Sequence, residues 1–309
     1  MTRVLITGGH GFVGHALFER LHAEGRDPLK VSRQVLRPGE LAVGEIGLTT
    51  DWSKAFFNCA VVVHLAARVH VMNDTEADPL AAFRAVNVDG TLNLARQAAA
   101  AGVKRFVFIS SVKVNGEFTS PGRAFTEADA PNPQDAYGLS KHEAEEGLRQ
   151  IASDTGMEVV IIRPPLVYGP GVKANFASLT RAVQRGWPLP LGAVHNQRSF
   201  VGIDNLVDFI ITCLEHPAAA NETFMVSDGE DLSTPDLTRR MAHAMNRPAR
   251  LLPVPVWALK AGALLLGKGD AVQRLCGNLQ VDISKSRELL GWKPRVSVDE
   301  GLRRAVGGI

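Results

Sequence analysis

A tyrosine and a lysine four residues apart, in Tyr137-Gly138-Leu139-Ser140-Lys141, are the pair with the clearest chemical use. At the start of a helix this spacing puts both side chains on one face. An ammonium beside a phenol favours phenolate and brings the hydroxyl towards proton transfer near neutral pH. Taken alone, such a pair is more often a surface packing contact. The chain holds only two tyrosines, however, and Ser110-Ser111 ends a strand of buried type. Ligands collect at that end of an open sheet. A hydroxyl at Ser111 can hydrogen-bond the oxygen whose proton Tyr137 moves.

A second constellation lies at the N-terminus, where Thr7-Gly8-Gly9-His10-Gly11-Phe12-Val13-Gly14 follows one strand and opens one helix. Gly8 permits the tight turn, Gly11 lets backbone approach a pyrophosphate, and Gly14 allows close helix-to-strand packing. The helix N-terminus supplies amide donors to phosphate. Gly8, His10, Gly11, Phe12, Val13 and Gly14 are therefore expected to contact a dinucleotide. An NAD site usually carries an acid about 20 residues further on, for the ribose 2′-hydroxyl. Ser32-Arg33 holds that place, with Arg37 nearby. A hydroxyl and a guanidinium suit a 2′-phosphate, so NADP(H) is the preferred cofactor. NAD(H) is the alternative if Arg33 only stacks on adenine. Glu45-Ile46 is the candidate for the adenine edge.

The elements that must position these groups alternate along the first half. Residues 3–7, 29–32, 60–65, 105–110 and 158–163 read as strands, and 12–24, 77–101 and 136–153 as helices. Wholly apolar runs such as Ala60-Val61-Val62-Val63 need cover on both faces, as in a parallel sheet between helices. The expected class is α/β, a Rossmann-type doubly wound parallel sheet with a smaller mixed α/β C-terminal substrate lobe. Residues 1–163 form the dinucleotide-binding domain in this reading, with 199–227 returning to it. Residues 164–198 and 228–309, where prolines interrupt the alternation, form the lobe.

Composition excludes several classes. The 309 residues carry 34 Lys+Arg against 32 Asp+Glu, for a net charge of +2, with no block of like charge. No electrostatic case for nucleic acid follows. No apolar run reaches the ~18 to 20 residues of a membrane span. Residues 256–266 come closest and, broken by Lys260, read as a packed or partner-facing helix in preference to peripheral membrane attachment. Three scattered cysteines suggest neither zinc site nor disulfide framework, so no metal is expected and a reducing cytoplasm is the expected location.

Together the motifs resemble the extended short-chain dehydrogenase/reductase family, in the branch of nucleotide-sugar epimerases, dehydratases and 4-ketoreductases. Besides those above, the resemblance rests on His64-Leu65-Ala66-Ala67, Asn87-Val88-Asp89-Gly90-Thr91, Arg163-Pro164-Pro165-Leu166-Val167-Tyr168-Gly169-Pro170-Gly171, Arg198-Ser199-Phe200-Val201 and Leu290-Gly291-Trp292-Lys293-Pro294. It implies that Tyr137 is the acid/base, that Lys141 lowers its pKa and holds the nicotinamide ribose, and that Ser111 positions the sugar oxygen. Leu65, Ala66, Ala67, Pro164 and Leu166 would line the cofactor. Asn175 and Arg198 would approach the sugar-nucleotide diphosphate, with Lys113 near the sugar. Asn87 and His64 read as structural neighbours of the site. Family members often dimerise through the 77–101 helix and the Tyr-Lys helix, so a homodimer is expected.

Departures from the family pattern bear on the reaction. Family 4,6-dehydratases carry an Asp-Glu pair after the catalytic hydroxyl, where this chain has Val112-Lys113; Asn115 replaces the usual tyrosine of the next turn. With Ser32-Arg33 favouring exchangeable NADPH, the first expectation is reduction at C4 of a UDP-4-keto-6-deoxy-hexose, N-acetylated in the preferred reading. The pattern Arg274-Leu275 followed by residues 279–285 resembles enzymes of bacterial O-antigen or capsule sugar synthesis. The alternative is a UDP-glucose or UDP-N-acetylglucosamine 4-epimerase with retained NAD. A non-catalytic dinucleotide sensor ranks behind both.

Overall fold

The computed structural model describes residues 3–35, 39–69, 78–172, 174–265, 267 and 269–307, apart from the side chains of residues 174, 175, 270 and 271. Arg37, the first residue of the expected 77–101 helix, the last of the 256–266 run and the Asn175 side chain lie outside the described residues.

In chain order the strands are β1 (Arg3–Thr7), β2 (Pro28–Ser32), β3 (Leu41–Ala42), β4 (Cys59–His64), β5 (Arg105–Ile109), β6 (Glu158–Arg163), β7 (Leu166–Tyr168), β8 (Phe200–Gly202) and β9 (Thr223–Met225). Seven form one sheet in the order β3-β2-β1-β4-β5-β6-β9, and every neighbouring pair is parallel. The chain builds outward from β1 to β3, then returns to add β4 on the other side of β1. That reversal leaves a crevice at the carboxyl ends of β1 and β4, where an open α/β sheet receives ligands. β7 and β8 pair separately.

Alternation along the strands sends apolar side chains to two cores. One face of the sheet carries Ile6, Val63, Val107 and Ile162 against Leu17 and Leu21 of α1 (Phe12–Ala23). The other carries Leu5, Val62, Phe106, Phe108 and Ile161. Cover on that side comes from α3 (Thr91–Ala100) and α4 (Ala136–Thr155), with α2 (Pro79–Arg84) packed against α4; Leu94, Ala98, Ala144 and Leu148 reach the core. The expected long helix forms from Pro79 to Ala100, with α2 and α3 continuous through a π-helical turn, Ala85–Gly90. Such turns are frequent at functional sites. Here it presents buried Asn87, which bonds both backbone polar groups of Arg68 and donates to Ser140 Oγ at 3.0 Å. One amide thus ties the loop after β4 to α4.

Beyond β7 come α5 (Ala174–Gln184), α6 (Ile203–Glu215), α7 (Thr234–Ala244), α8 (Val256–Leu265), α9 (Gly269–Cys276), α10 (Ser284–Leu290) and α11 (Val298–Val306). A third core gathers Tyr168, Phe200, Leu237, Met241 and Leu302. Asp228 joins its parts. It accepts from Tyr168 Oη at 2.7 Å, the Gly202 amide at 2.9 Å and Asn205 Nδ2 at 2.7 Å. Three donors compensate much of the cost of burying that carboxylate.

The most buried ion pair lies where α4 crosses the sheet. Arg163, at the end of β6, holds Glu145 of α4 through Nε at 2.9 Å and Nη2 at 2.5 Å, with both side chains nearly inaccessible. Ser110 donates to the same carboxylate at 2.6 Å, while Arg163 Nη1 donates to Asn115 Oδ1 at 2.9 Å. Replacing Glu145 by Ala leaves a buried guanidinium without its counter-charge, and should cost about 3–5 kcal/mol in urea unfolding. The pair Glu145→Leu with Arg163→Met should recover much of that loss by the same measurement.

Candidate active site

The glycine loop is built by close approach. Gly8 has φ +67°, and a Cβ there would sit 2.8 Å from the Ala66 amide nitrogen. A Cβ at Gly14 would run into the Gly8 carbonyl. The Gly11 amide donates to that carbonyl at 2.8 Å and Gly11 N-caps α1, whose first turn has neither a capping side chain nor an acidic residue. Its leading amides therefore suit an anionic group. That backbone cradle, which side chains would fill, fits a dinucleotide pyrophosphate bounded by Gly8, Gly11, Gly14 and the Leu65-Ala66-Ala67 segment.

Thr7 and His64 hold the two crevice loops together. Thr7 Oγ1 receives the amides of Leu65 and Ala66, both at 3.2 Å, so its hydroxyl proton goes to His64 Nδ1 at 2.7 Å. His64 Nε2 then carries the ring proton and donates to Thr91 Oγ1 at 2.9 Å. Burial, with Lys141 nearby, holds His64 neutral by pushing its pKa down to about 3. This imidazole is a structural brace.

At the expected adenosine end, Ser32 Oγ donates to the Gln34 carbonyl at 2.5 Å. Arg33 pairs with Glu45 at 3.3 Å, both side chains largely exposed. The guanidinium chosen for a 2′-phosphate thus already faces a carboxylate, and the two residues expected to act separately stand together. His10 pairs with Glu40 at 3.1 Å. Ile46 packs where a Cβ on Gly90 would meet it at 2.6 Å.

Around the Tyr-Lys pair, Asp135 N-caps α4, accepting from the Gly138 amide at 2.7 Å. Lys113 Nζ lies 2.6 Å from Asp135 Oδ2 and 2.7 Å from Glu117 Oε1. Burial works to lower the Lys113 pKa, but the two carboxylates outweigh it and hold the ammonium charged. Ser111 caps the short turn Val112–Val114, accepting from the Lys113 amide at 3.2 Å. A Cβ on Gly138 would meet the Lys113 carbonyl at 2.8 Å, so the Ser111 turn rests against the first turn of α4. Tyr137 sits edge-on to Phe83, with ring centroids 6.2 Å apart.

Lys141 Nζ is 6.0 Å from the Tyr137 ring centroid and donates to the Ile109 carbonyl at 2.8 Å. Burial pushes the lysine down to about 7 and, with Asp135 nearby, raises Tyr137 to about 12. The phenol shift is opposite to the one expected from the four-residue spacing. Desolvation dominates at both groups, opposed at Lys141 by the charge of Glu145.

Other expected residues are more dispersed. The Pro164 carbonyl accepts from the Val112 amide at 3.0 Å, which sets Pro164 beside the Ser111 turn, while Leu166 pairs with Phe200 and packs on the third core. Arg198 Nη1 donates to the Gly277 carbonyl at 3.1 Å; burial lowers its pKa, with Glu117 opposing. Sequence reasoning missed Glu145 and Asp135. Glu145 had a signal, lying four residues beyond Lys141 on the same helical face. Asp135 had another, as an acid immediately before the helical pattern.

Residues 4–227 match the NAD dependent epimerase/dehydratase family. The chain belongs to this family, and is an enzyme of epimerase/dehydratase type in the extended short-chain dehydrogenase/reductase class. It is 52% identical over 306 residues to a UDP-glucose 4-epimerase of Vibrio cholerae, spanning 97% of this chain and 93% of that one. A UDP-glucose 4-epimerase of Mycolicibacterium smegmatis is 28% identical, with 98% and 97% covered. The crystal structure of UDP-glucose 4-epimerase with UDP-glucose from Thermotoga maritima matches with TM-score 0.78 and 25% identity, covering 99% of this chain and 98% of that one. These names accord better with the 4-epimerase alternative than with the 4-ketoreductase expectation.

The buried lysine gives a pH prediction for the ligand-free protein. Its folded pKa, about 7, lies below the ordinary 10.5, so between those values the unfolded chain binds more protons and stability rises with pH. Wild type should gain stability relative to Lys141→Met from pH 6 to pH 10, read by urea unfolding at each pH.

Proposed function

We propose that the protein is a UDP-hexose 4-epimerase that retains NAD(H) through its cycle, with UDP-glucose or UDP-N-acetylglucosamine as substrate. The observation that carries this reading is the 52% identity, over nearly the whole chain, to a protein of that name. The Arg33–Glu45 pair supports NAD(H) over NADP(H), because a 2′-phosphate would have to displace Glu45 or meet its negative charge. Residues 1–163 would hold the cofactor, and 164–198 with 228–309 the nucleotide sugar, Asn175 and Arg198 facing its diphosphate. The enzyme would work in the cytoplasm as a homodimer.

A bound nicotinamide supplies a reversible hydride acceptor for C4 of the sugar. Tyr137 takes the proton of the C4 hydroxyl as that carbon is oxidised, and returns it to the same oxygen when the opposite face is reduced. Lys141, when it carries its proton, favours the phenolate form of Tyr137. Ser111 hydrogen-bonds the C4 oxygen and fixes it for transfer. Lys113, held by Asp135 and Glu117, steadies the turn that carries Ser111 against α4.

Purified protein given UDP-glucose or UDP-N-acetylglucosamine, without added dinucleotide, should form the galacto epimer. Mass spectrometry of the protein as purified should find NAD. Tyr137→Phe should lower turnover by about 10²- to 10⁴-fold, the usual contribution of a general acid–base, with the dinucleotide still bound. Strict dependence on added NADPH and a 4-keto sugar would instead favour the reductase.

A further inference from the structure

Helix α8 is the least covered apolar element of the lobe. Trp257, Leu264 and Leu265 are 74%, 79% and 87% exposed, and among its described residues only Ala263 is buried. The 256–266 run forms a helix as expected, and its exposure fits the partner-facing alternative and not the packed one. Just before it, residues 187–192 and 250–252 run together: the Leu189 amide donates to the Arg250 carbonyl, and the Leu252 amide to the Leu189 carbonyl, both at 2.8 Å. That pairing sets exposed Leu252, four residues before α8, beside the segment that carries exposed Trp187. Monomeric soluble proteins rarely leave large apolar patches bare.

Charge selects the occupant. The chain as a whole is nearly balanced, yet no aspartate or glutamate occurs from 159 to 203 or from 237 to 269, the two stretches to which these exposed residues belong. Arg185, Arg247, Arg250 and Lys260 are exposed within them, and the Arg185 guanidinium lies 5.1 Å over the Trp187 ring. We propose that α8 and the adjoining Trp187–Leu252 strip dock the protein on an anionic phospholipid surface. At ten residues α8 is roughly 15 Å long, half the ~30 Å of a bilayer core, so it lies in the interface and does not span. Tryptophan favours that depth, while arginine and lysine reach back to headgroup phosphates.

The test is co-sedimentation of the full chain with vesicles of phosphatidylcholine alone, and of phosphatidylcholine mixed with phosphatidylglycerol. Binding should require phosphatidylglycerol and weaken with salt. Trp257→Ser should weaken it by about tenfold or more, the effect of losing one large buried apolar side chain. Arg250→Glu combined with Lys260→Glu should abolish the preference for anionic vesicles. Thermal unfolding and UDP-hexose binding of each variant should match wild type, which separates a docking defect from a folding defect or a failed epimerase reading. Absence of vesicle binding, or binding equal in wild type and variants, overturns the proposal. So does an oligomer without vesicle affinity that Leu265→Glu splits, because a second copy then covers α8.

Discussion

The buried pair between Glu145 and Arg163 is the interaction on which the site's geometry depends most. It joins the last residue of β6 to the middle of α4, collects Ser110 at the end of β5, and reaches through Asn115 into the loop beyond the Ser111 turn. The first two turns of α4, carrying Tyr137 and Lys141, thereby acquire a fixed position relative to two strand ends. A salt bridge so enclosed adds little net stability over apolar residues of similar size. What it supplies is orientation, since a bidentate guanidinium accepts only a narrow range of carboxylate positions.

The crevice at β1 and β4 depends on contact distances instead of charge. Gly8 leaves no room for a side chain because the Ala66 backbone fills that space, and Gly14 because Gly8 does. Thr7 and His64 then lock both loops through a chain of hydrogen bonds that ends on Thr91, at the start of α3. The dinucleotide cradle and the alanines after β4 are therefore one unit. Asn87, in the π-helical turn, extends that unit to α4 through Ser140.

Cations near the site are mostly held by carboxylates. Arg33 has Glu45, Lys113 has Asp135 and Glu117, and Arg163 has Glu145. Lys141 differs, as its hydrogen bond goes to a neutral carbonyl, and burial accordingly brings its pKa near neutrality. That leaves its proton responsive to whatever charge enters the crevice. Around α8 the opposite holds, with exposed cations beside exposed tryptophans and leucines in segments without acids.

By itself the amino-acid sequence determined the class of fold, the glycine loop and the Tyr-Lys pair, because these rest on local rules. Strand alternation, the loss of side chains where backbones cross, and the four-residue helical repeat are all legible within short windows. Helix 77–101 could be read as helical, but not as interrupted by a π turn, which follows from what Asn87 must reach across the fold. Only the tertiary structure decided which charges meet. Arg33 and Glu45 are twelve residues apart, Lys113 and Asp135 twenty-two, Glu145 and Arg163 eighteen. Side chains so separated are brought together by strand order and helix packing, and whether a cation is spoken for by a carboxylate is set there.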